Sequence, residues 1–295
     1  MLDRFKRRLK EQLIQSWLPK EELQRIEKAL SHLNSAGFDP WGLDPDTLKT
    51  AVALGRWLYT DYFRVETVGI ERVPAGRVLL IANHGGQLPL DGFLIGMSML
   101  LRADPARIPR GMVERWAPSV PFVNTLFSRL GQMVGDHRNC RELLDKDECV
   151  LVFPEGTGGS GKTIQHRYEL QKFGTGFVRL ALETGSPIVP VAVIGCEETY
   201  PSIFDFKLLA KLLKAPYIPI TPFFPLLGPL GAIPLPTKVT LRFGDPIRFD
   251  GDPDAPDAEV EKKVDRVRDA LDAEIKTGLK LRDGKIFTGS GGENG

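Results

Sequence analysis

The sequence predicts an α/β fold, a mixed and mostly parallel central sheet flanked by helices, with an N-terminal helical region ahead of it. Three observations lead there. From about Val65 onward, short apolar runs of strand length alternate with helix-length periodic segments, the pattern of a layered α/β domain. The first of those runs, Val78-Leu-Leu-Ile-Ala82, is apolar throughout, as a buried strand is. The composition is globular: 42% hydrophobic and 26% charged residues over 295 positions. That balance excludes a largely disordered chain, a coiled coil, a collagen and a polytopic membrane protein.

In chain order, Met1 to Trp17 sets Leu2, Phe5, Leu9, Leu13, Ile14 and Trp17 beside Arg4, Lys6, Arg7, Arg8 and Lys10. The apolar spacings near three and four make an amphipathic helix. Pro19 suits the first turn of a second helix, Lys20 to Leu33. After a loop from Gly37 to Asp44, Asp46 or Thr47 is the expected cap of a third helix reaching about Phe63. Strands are expected at Val78–Ala82, Cys149–Phe153, Pro187–Val193 and Lys238–Phe243. Helices are expected around Asp91–Leu101, Val120–Leu130, Asn139–Asp145, Gln165–Glu183 and Asp257–Leu279. The expected organisation is a helical, membrane-associating region over 1–64 and an α/β domain over 65–250. A C-terminal helix over 251–285 packs on that domain, and a flexible tail follows over 286–295.

Charge and cysteine content narrow the class of function. Thirty-nine basic against 38 acidic residues give a net charge of +1, too little for a surface built to grip nucleic acid. Cys140, Cys149 and Cys196 form no CxxC pair, so neither a disulfide framework nor a structural zinc site is expected. A reducing, cytoplasmic compartment and no metal are the expectation. The basic N-terminus is not followed by the apolar core of a secretory signal. Tyr217 to Pro236 is uncharged, yet it contains Pro219, Pro222, Pro225, Pro229, Pro234 and Pro236. Six prolines remove too many backbone donors for a lipid-exposed spanning helix.

Four constellations carry chemistry. Ile81-Ala-Asn-His-Gly-Gly-Gln-Leu-Pro-Leu-Asp91 follows a strand and precedes a helix, where α/β folds place reactive groups. His84 suits a general base near neutral pH, and Asp91, near a helix N-terminus, is placed to orient it. Gly85 and Gly86 leave the backbone open to a substrate. Val150-Leu-Val-Phe-Pro-Glu-Gly-Thr157 delivers Glu155, Gly156 and Thr157 at a strand end, with Glu155 suited to holding a substrate hydroxyl. Gly156-Thr-Gly-Gly-Ser-Gly-Lys-Thr163 also matches the G-x-x-x-x-G-K-[ST] phosphate loop. On that alternative, Lys162 reaches phosphates and Thr163 holds magnesium, but no later apolar strand ends in a suitable Asp. Finally, Arg110 and Arg115 within Arg107–Arg115 are candidate phosphate binders.

Together these segments resemble the glycerolipid and lysophospholipid acyltransferase superfamily, which includes the 1-acylglycerol-3-phosphate acyltransferases. The likeness runs from about Val78 to Phe243. Asn83-His84 with Asp91 resembles the family's His-Asp block, Gly111-Met-Val-Glu-Arg115 its arginine block, Phe153-Pro-Glu-Gly-Thr157 its third and Pro187-Ile-Val-Pro190 its fourth. The family usually has four residues between the His and the Asp. Here there are six, Gly85 to Leu90, a spacing similar to the monoacylglycerol and diacylglycerol acyltransferase-like branch. The resemblance implies transfer of an acyl group from a thioester, of coenzyme A or acyl carrier protein, to a lipid hydroxyl. His84 is then the base, Asp91 its partner, Gly85 and Gly86 the oxyanion donors. Glu155, Gly156, Thr157, Arg110 and Arg115 hold the acceptor. It implies no cofactor beyond the thioester co-substrate, and a peripheral position on the inner face of a membrane. The acceptor is a phosphorylated or a neutral glycerolipid. Met1–Trp17 and the Pro-rich segment are the expected membrane contacts. A phosphate-loop nucleotide-binding protein and a non-catalytic lipid-binding protein are the competing readings.

Overall fold

The computed structural model describes residues 11–12, 14–31, 33, 39–85, 89–114, 123–156, 159, 162–201, 204–205, 219–220 and 228–287. Among the described residues, nine strands run in chain order as β1 (Glu66–Val68), β2 (Val78–Ala82), β3 (Arg110–Val113), β4 (Met133–Val134), β5 (Cys149–Val152), β6 (Ile188–Ile194), β7 (Phe204–Asp205), β8 (Pro219–Ile220) and β9 (Thr240–Phe243). The helices are α1 (Lys20–Ala29), α2 (Pro45–Trp57), α3 (Leu90–Leu101), α4 (Val123–Arg129), α5 (His137–Asp145), α6 (Gly176–Thr184) and α7 (Asp257–Arg282). Seven strands form one sheet in the order β1-β9-β6-β2-β5-β3-β4. From β6 to β4 every pairing is parallel. β9 pairs antiparallel with β6, and β1 pairs parallel with β9. The expected mixed, mostly parallel sheet is therefore present.

The apolar strands are buried because both faces are covered. Side chains alternate across a strand, and in β2 Val78, Leu80 and Ala82 join the core that contains Ile26, Val52 and Leu94 of α1, α2 and α3. Leu79 and Ile81 join the other core, with Leu143, Val178 and Val267 of α5, α6 and α7. All seven residues of β6 are buried. Sequence hydrophobicity thus located the central strands, while the short strands β1, β3 and β4 lay below its reach.

Several boundaries differ from expectation, each for a local reason. α2 is capped by Asp44, whose carboxylate accepts the N–H of Thr47 at 3.1 Å, with Pro45 in the first turn; neither Asp46 nor Thr47 is the cap. Its last turn widens into a π-helix over Leu58–Tyr62. α1 stops at Ala29 rather than Leu33. The expected helix over Gln165–Glu183 is a 3-10 turn, Ile164–His166, followed by α6. Between them Tyr168 has φ +63°, and its N–H is donated to Glu197 at 2.8 Å. The Gln171 N–H goes to Glu155 at 2.9 Å. Buried carboxylates have captured the backbone donors a helix needs, so tertiary contacts override periodicity.

Residues 1–10 and 13 of the expected amphipathic helix lie outside the described residues, as do 217–218 and 221–227 of the apolar, Pro-rich stretch and 288–295 of the tail. At the described end of the first helix, Ile14 and Leu18 are buried in the core, whereas Trp17 is exposed. Among the described residues no helix is long and apolar enough to cross a membrane.

Candidate active site

β2 ends at Ala82, and the next residue extends the sheet with its side chain. Asn83 is fully buried. Its Nδ2 donates to the Val193 carbonyl at 3.0 Å, and its Oδ1 accepts the Val193 N–H at 2.7 Å. The amide replaces a strand peptide, so the chain can leave the sheet at His84 without orphaning β6. The sequence alone assigns Asn83 no role. Asn83→Leu strands both Val193 groups in the interior, at about 1–3 kcal/mol each. Urea unfolding is expected to register a loss of several kcal/mol, and an unchanged midpoint would refute this role.

His84 and Asp91 meet, despite their six-residue spacing. Nδ1 of His84 lies 2.5 Å from Oδ2 of Asp91. Asp91, in the first turn of α3, is completely buried. Its Oδ2 also accepts the Gly85 N–H at 3.0 Å, and its Oδ1 the Gly92 N–H at 2.7 Å. Three donors satisfy the hydrogen-bonding capacity of a carboxylate that water does not reach. The His84 ring stacks at 4.6 Å on Phe153, and its side chain is 18% exposed. With Nδ1 engaged by Asp91, Nε2 is the nitrogen left for a substrate proton. Burial by itself lowers the His84 pKa, but the Asp91 charge and hydrogen bond, aided by Glu155, outweigh it and the opposing Lys162. The net result is a pKa raised above 6.5.

Glu155 differs from its expected acceptor-holding role. It is buried; its Oε1 accepts the backbone N–H of His84 at 3.1 Å, and its Oε2 accepts that of Gln171 at 2.9 Å. Lys162 Nζ lies 2.8 Å from the same Oε2 and 3.6 Å from Oε1 of Glu197. The carboxylate is committed to protein donors and braces the turn at His84.

Two further expectations are corrected. The Gly85 N–H belongs to Asp91, so it is not a free oxyanion donor. Glycine is needed there because a Cβ would come 2.6 Å from Cγ of Glu197. Arg110 is no phosphate ligand: its guanidinium is fully buried, 2.6 Å from Asp39 and 3.3 Å from Glu148. It pairs in register with Val150, which pairs with Leu79. That places it five residues before His84 along the strands, roughly 16 Å away at ~3.3 Å per residue. Gly156 turns through φ +55°, a left-handed conformation suited to glycine. Gly86, Arg115 and Thr157 lie outside the described residues.

The phosphate-loop alternative loses its lysine, because the Lys162 side chain is 5% exposed and paired with two buried acids. A 3-10 turn, not an α-helix, follows Thr163. Sequence reading missed Glu197 and Glu198. Their signal is two consecutive acids directly after the apolar β6 and Gly195-Cys196. Glu198 accepts from the Tyr168 hydroxyl at 2.5 Å and from Arg282 at 2.6 Å, which ties the end of α7 to this loop. No group of acidic, His or Cys side chains that could hold a metal occurs among the described residues.

Comparison with known proteins bears on this arrangement. Residues 64–194 match the family model described as Acyltransferase, a span that includes Asn83, His84, Asp91 and Glu155. Over that span the chain resembles an acyltransferase-family domain. The superfamily anticipated from the His-Asp and Pro-Glu-Gly-Thr blocks is thereby borne out. An uncharacterized protein of Mycobacterium tuberculosis is 41% identical over 212 residues, 71% of this chain and 59% of its own length. One from Mycobacterium leprae is 41% identical over 212 residues, 71% of this chain and 58% of its own. The chain therefore spans somewhat under two thirds of these relatives. More distantly, the mouse "DGAT1/2-independent enzyme synthesizing storage lipids" is 22% identical over 210 residues, 71% of this chain and 59% of that protein. The crystal structure of the 1-acyl-sn-glycerophosphate acyltransferase of Thermotoga maritima superposes with a TM-score of 0.51 at 19% identity. It covers 80% of this chain and 81% of that one, which shows a shared fold.

Proposed function

We propose that this acyltransferase-family protein moves a fatty acyl group from a thioester to the hydroxyl of a glycerolipid, with His84 as general base. The observation that carries the reading is the His84–Asp91 pair: Nδ1 held by a buried carboxylate, Nε2 left for a substrate. The acceptor oxygen attacks the thioester carbonyl carbon while Nε2 takes its proton. Asp91 offsets the imidazolium charge. The tetrahedral intermediate collapses, the C–S bond breaks, and the departing sulfur receives the proton from Nε2. Transfer is direct. The three cysteines offer no acyl-enzyme nucleophile: all are buried, with the thiols of Cys140 and Cys149 pushed up to about 11 and that of Cys196 well above its usual value, and only thiolates attack efficiently.

The donor is acyl-CoA or an acyl carrier protein thioester. The acceptor is a lysophospholipid such as lysophosphatidate, in keeping with the name of the Thermotoga enzyme, or a neutral glyceride, in keeping with the storage lipids that the mouse protein's name says it synthesizes. Arg115 is the residue proposed for an acceptor phosphate. Incubation of the protein with acyl-CoA and a panel of lysophospholipids, monoacylglycerols and diacylglycerols, with released thiol as readout, tests the function. Thiol release that no acceptor stimulates would count against it. Because the base must be neutral and its pKa is raised, kcat/KM is expected to fall as pH drops, with a midpoint above about 6.5, the unperturbed histidine value. A pH profile flat down to pH 5.5 would rule out His84 as the base.

Contact is proposed with the cytoplasmic face of a membrane. Support comes from exposed apolar side chains at the end of the strands where His84 lies. Phe63 and Val239 adjoin the start of β9, which antiparallel pairing places beside the end of β6. Close by, Trp57, Leu230, Ile233 and Phe287 are each more than half exposed, and the Tyr62 hydroxyl donates to the Pro234 carbonyl at 2.5 Å. Flotation with anionic liposomes checks this, and protein left entirely at the bottom of the gradient would refute it.

A further inference from the structure

We propose that Lys162 is a positioning residue of the catalytic centre, holding Glu155 against the backbone of His84 through an ion pair that Glu197 shares. The proposal rests on the acyltransferase reading above and gives the phosphate-loop-like sequence a different purpose. Two acids contact the turn at His84 and Gly85. Glu155 binds the His84 N–H. Glu197 presses its Cγ to where a Gly85 Cβ would sit, while its Oε2 accepts the Tyr168 N–H at 2.8 Å. Lys162 lies between them, 2.8 Å from Glu155 and 3.6 Å from Glu197. The three side chains are 0–5% exposed, so water does not screen them.

Gly156 and Gly159, the described glycines of the same segment, have reasons unconnected with phosphate. A Cβ on Gly159 would come 2.9 Å from the Cβ atoms of both His84 and Glu155, so the backbone there lies directly against the catalytic turn. Gly156 makes the left-handed turn that leads into it. Lys162 then brings the segment's far end into the buried acids.

One ammonium facing two buried carboxylates leaves little slack. Burial pushes the Glu197 carboxyl up to about 7, against the pull of Lys162 and the Tyr168 N–H. The charged groups around His84 are Asp91 from α3 and Glu155 and Lys162 from the segment after β5, with Glu197 from the segment after β6 against Gly85. Among them Lys162 alone opposes protonation of the imidazole. Removing it lets the His84 pKa rise and frees Glu155 from its anchor.

The test compares Lys162→Met, Lys162→Arg and the double variant Lys162→Met/Glu197→Gln with wild type. His84 is titrated by NMR of its imidazole, and kcat and KM are measured across pH. In Lys162→Met, kcat is expected to fall on the order of 10²-fold, the scale of an ångström-level misplacement. KM for the thioester stays within about twofold, since ground-state binding is untouched. The imidazole titration and the acid limb of kcat/KM both move to higher pH. Lys162→Arg keeps the charge and is expected to recover most of kcat and the wild-type limb. Should Lys162→Met not fold, the double variant carries the same measurement, because it removes a buried charge together with the cation. A wild-type His84 titration in the cation-less variants overturns the proposal and leaves Lys162 a structural ion pair only. If the wild-type protein transfers no acyl group, the functional reading fails instead, and the NMR titration still decides whether Lys162 acts on His84.

Discussion

Replacing His84 by Ala is expected to cut acyl-transfer kcat by about 10²–10⁴, the contribution of a well-placed general base. The loss should appear in kcat and kcat/KM alike, because the proton is taken only in the transition state. The fold should survive. The His84 side chain is partly exposed, and Asp91 keeps the Gly85 and Gly92 N–H groups when the imidazole is gone. A cost near 1 kcal/mol would lower the melting temperature by only about 1.5–2 °C in a chain of 295 residues. Thermal unfolding and initial-rate kinetics on one preparation decide the matter. A folded variant with undiminished turnover would reject the mechanism and favour a lipid-binding protein that does no chemistry. The opposite pairing, activity lost only through global unfolding, would leave His84 a structural residue.

Asp91→Asn is expected to cost about 10³–10⁴ in kcat, the scale seen when the carboxylate orienting a catalytic histidine is neutralised in serine hydrolases. The physical reason is a mismatch of donors. Asp91 accepts from three groups, His84 and Gly85 on one oxygen and Gly92 on the other. An amide has one oxygen and one NH₂, so in either orientation it points a donor at a donor. If the oxygen faces Gly92, the NH₂ faces His84 Nδ1, the ring proton shifts to Nε2, and the base is lost. If the oxygen faces His84, the Gly92 N–H is orphaned and the imidazolium lacks its counter-charge. The variant also reverses the pH signature. Without Asp91 the main influence left on His84 is burial, which lowers its pKa, so the acid limb should move to lower pH while the plateau rate drops. A plateau within tenfold of wild type, or a limb that stays in place, would contradict Asp91 as the orienting group.

Opposite limb shifts distinguish the two supports of His84. Losing Asp91 moves the titration down and losing Lys162 moves it up. A non-specific loosening of the site would not give two shifts of opposite sign.

The sequence by itself determined the layer architecture and the His–Asp pair. Continuous apolar runs such as Val78–Ala82 and Ile188–Ile194 have to be covered on both faces, which admits few arrangements other than a sheet between helices. A histidine and an aspartate flanking a glycine turn at a strand end are local, so their meeting was legible even with two extra residues between them. The tertiary structure alone decided what the remaining polar residues do. Glu155 and Gly85 read as substrate contacts, and Arg110 and Lys162 as phosphate contacts, because the one-dimensional chain shows their type and not their partners. In the fold Arg110 finds Asp39 and Glu148, and Lys162 finds Glu155 and Glu197. A buried charge has to be matched by whatever group the packing brings beside it. Those partners are 38 to 71 residues away for Arg110, and 7 to 35 for Lys162, separations that neither periodicity nor motif spacing encodes.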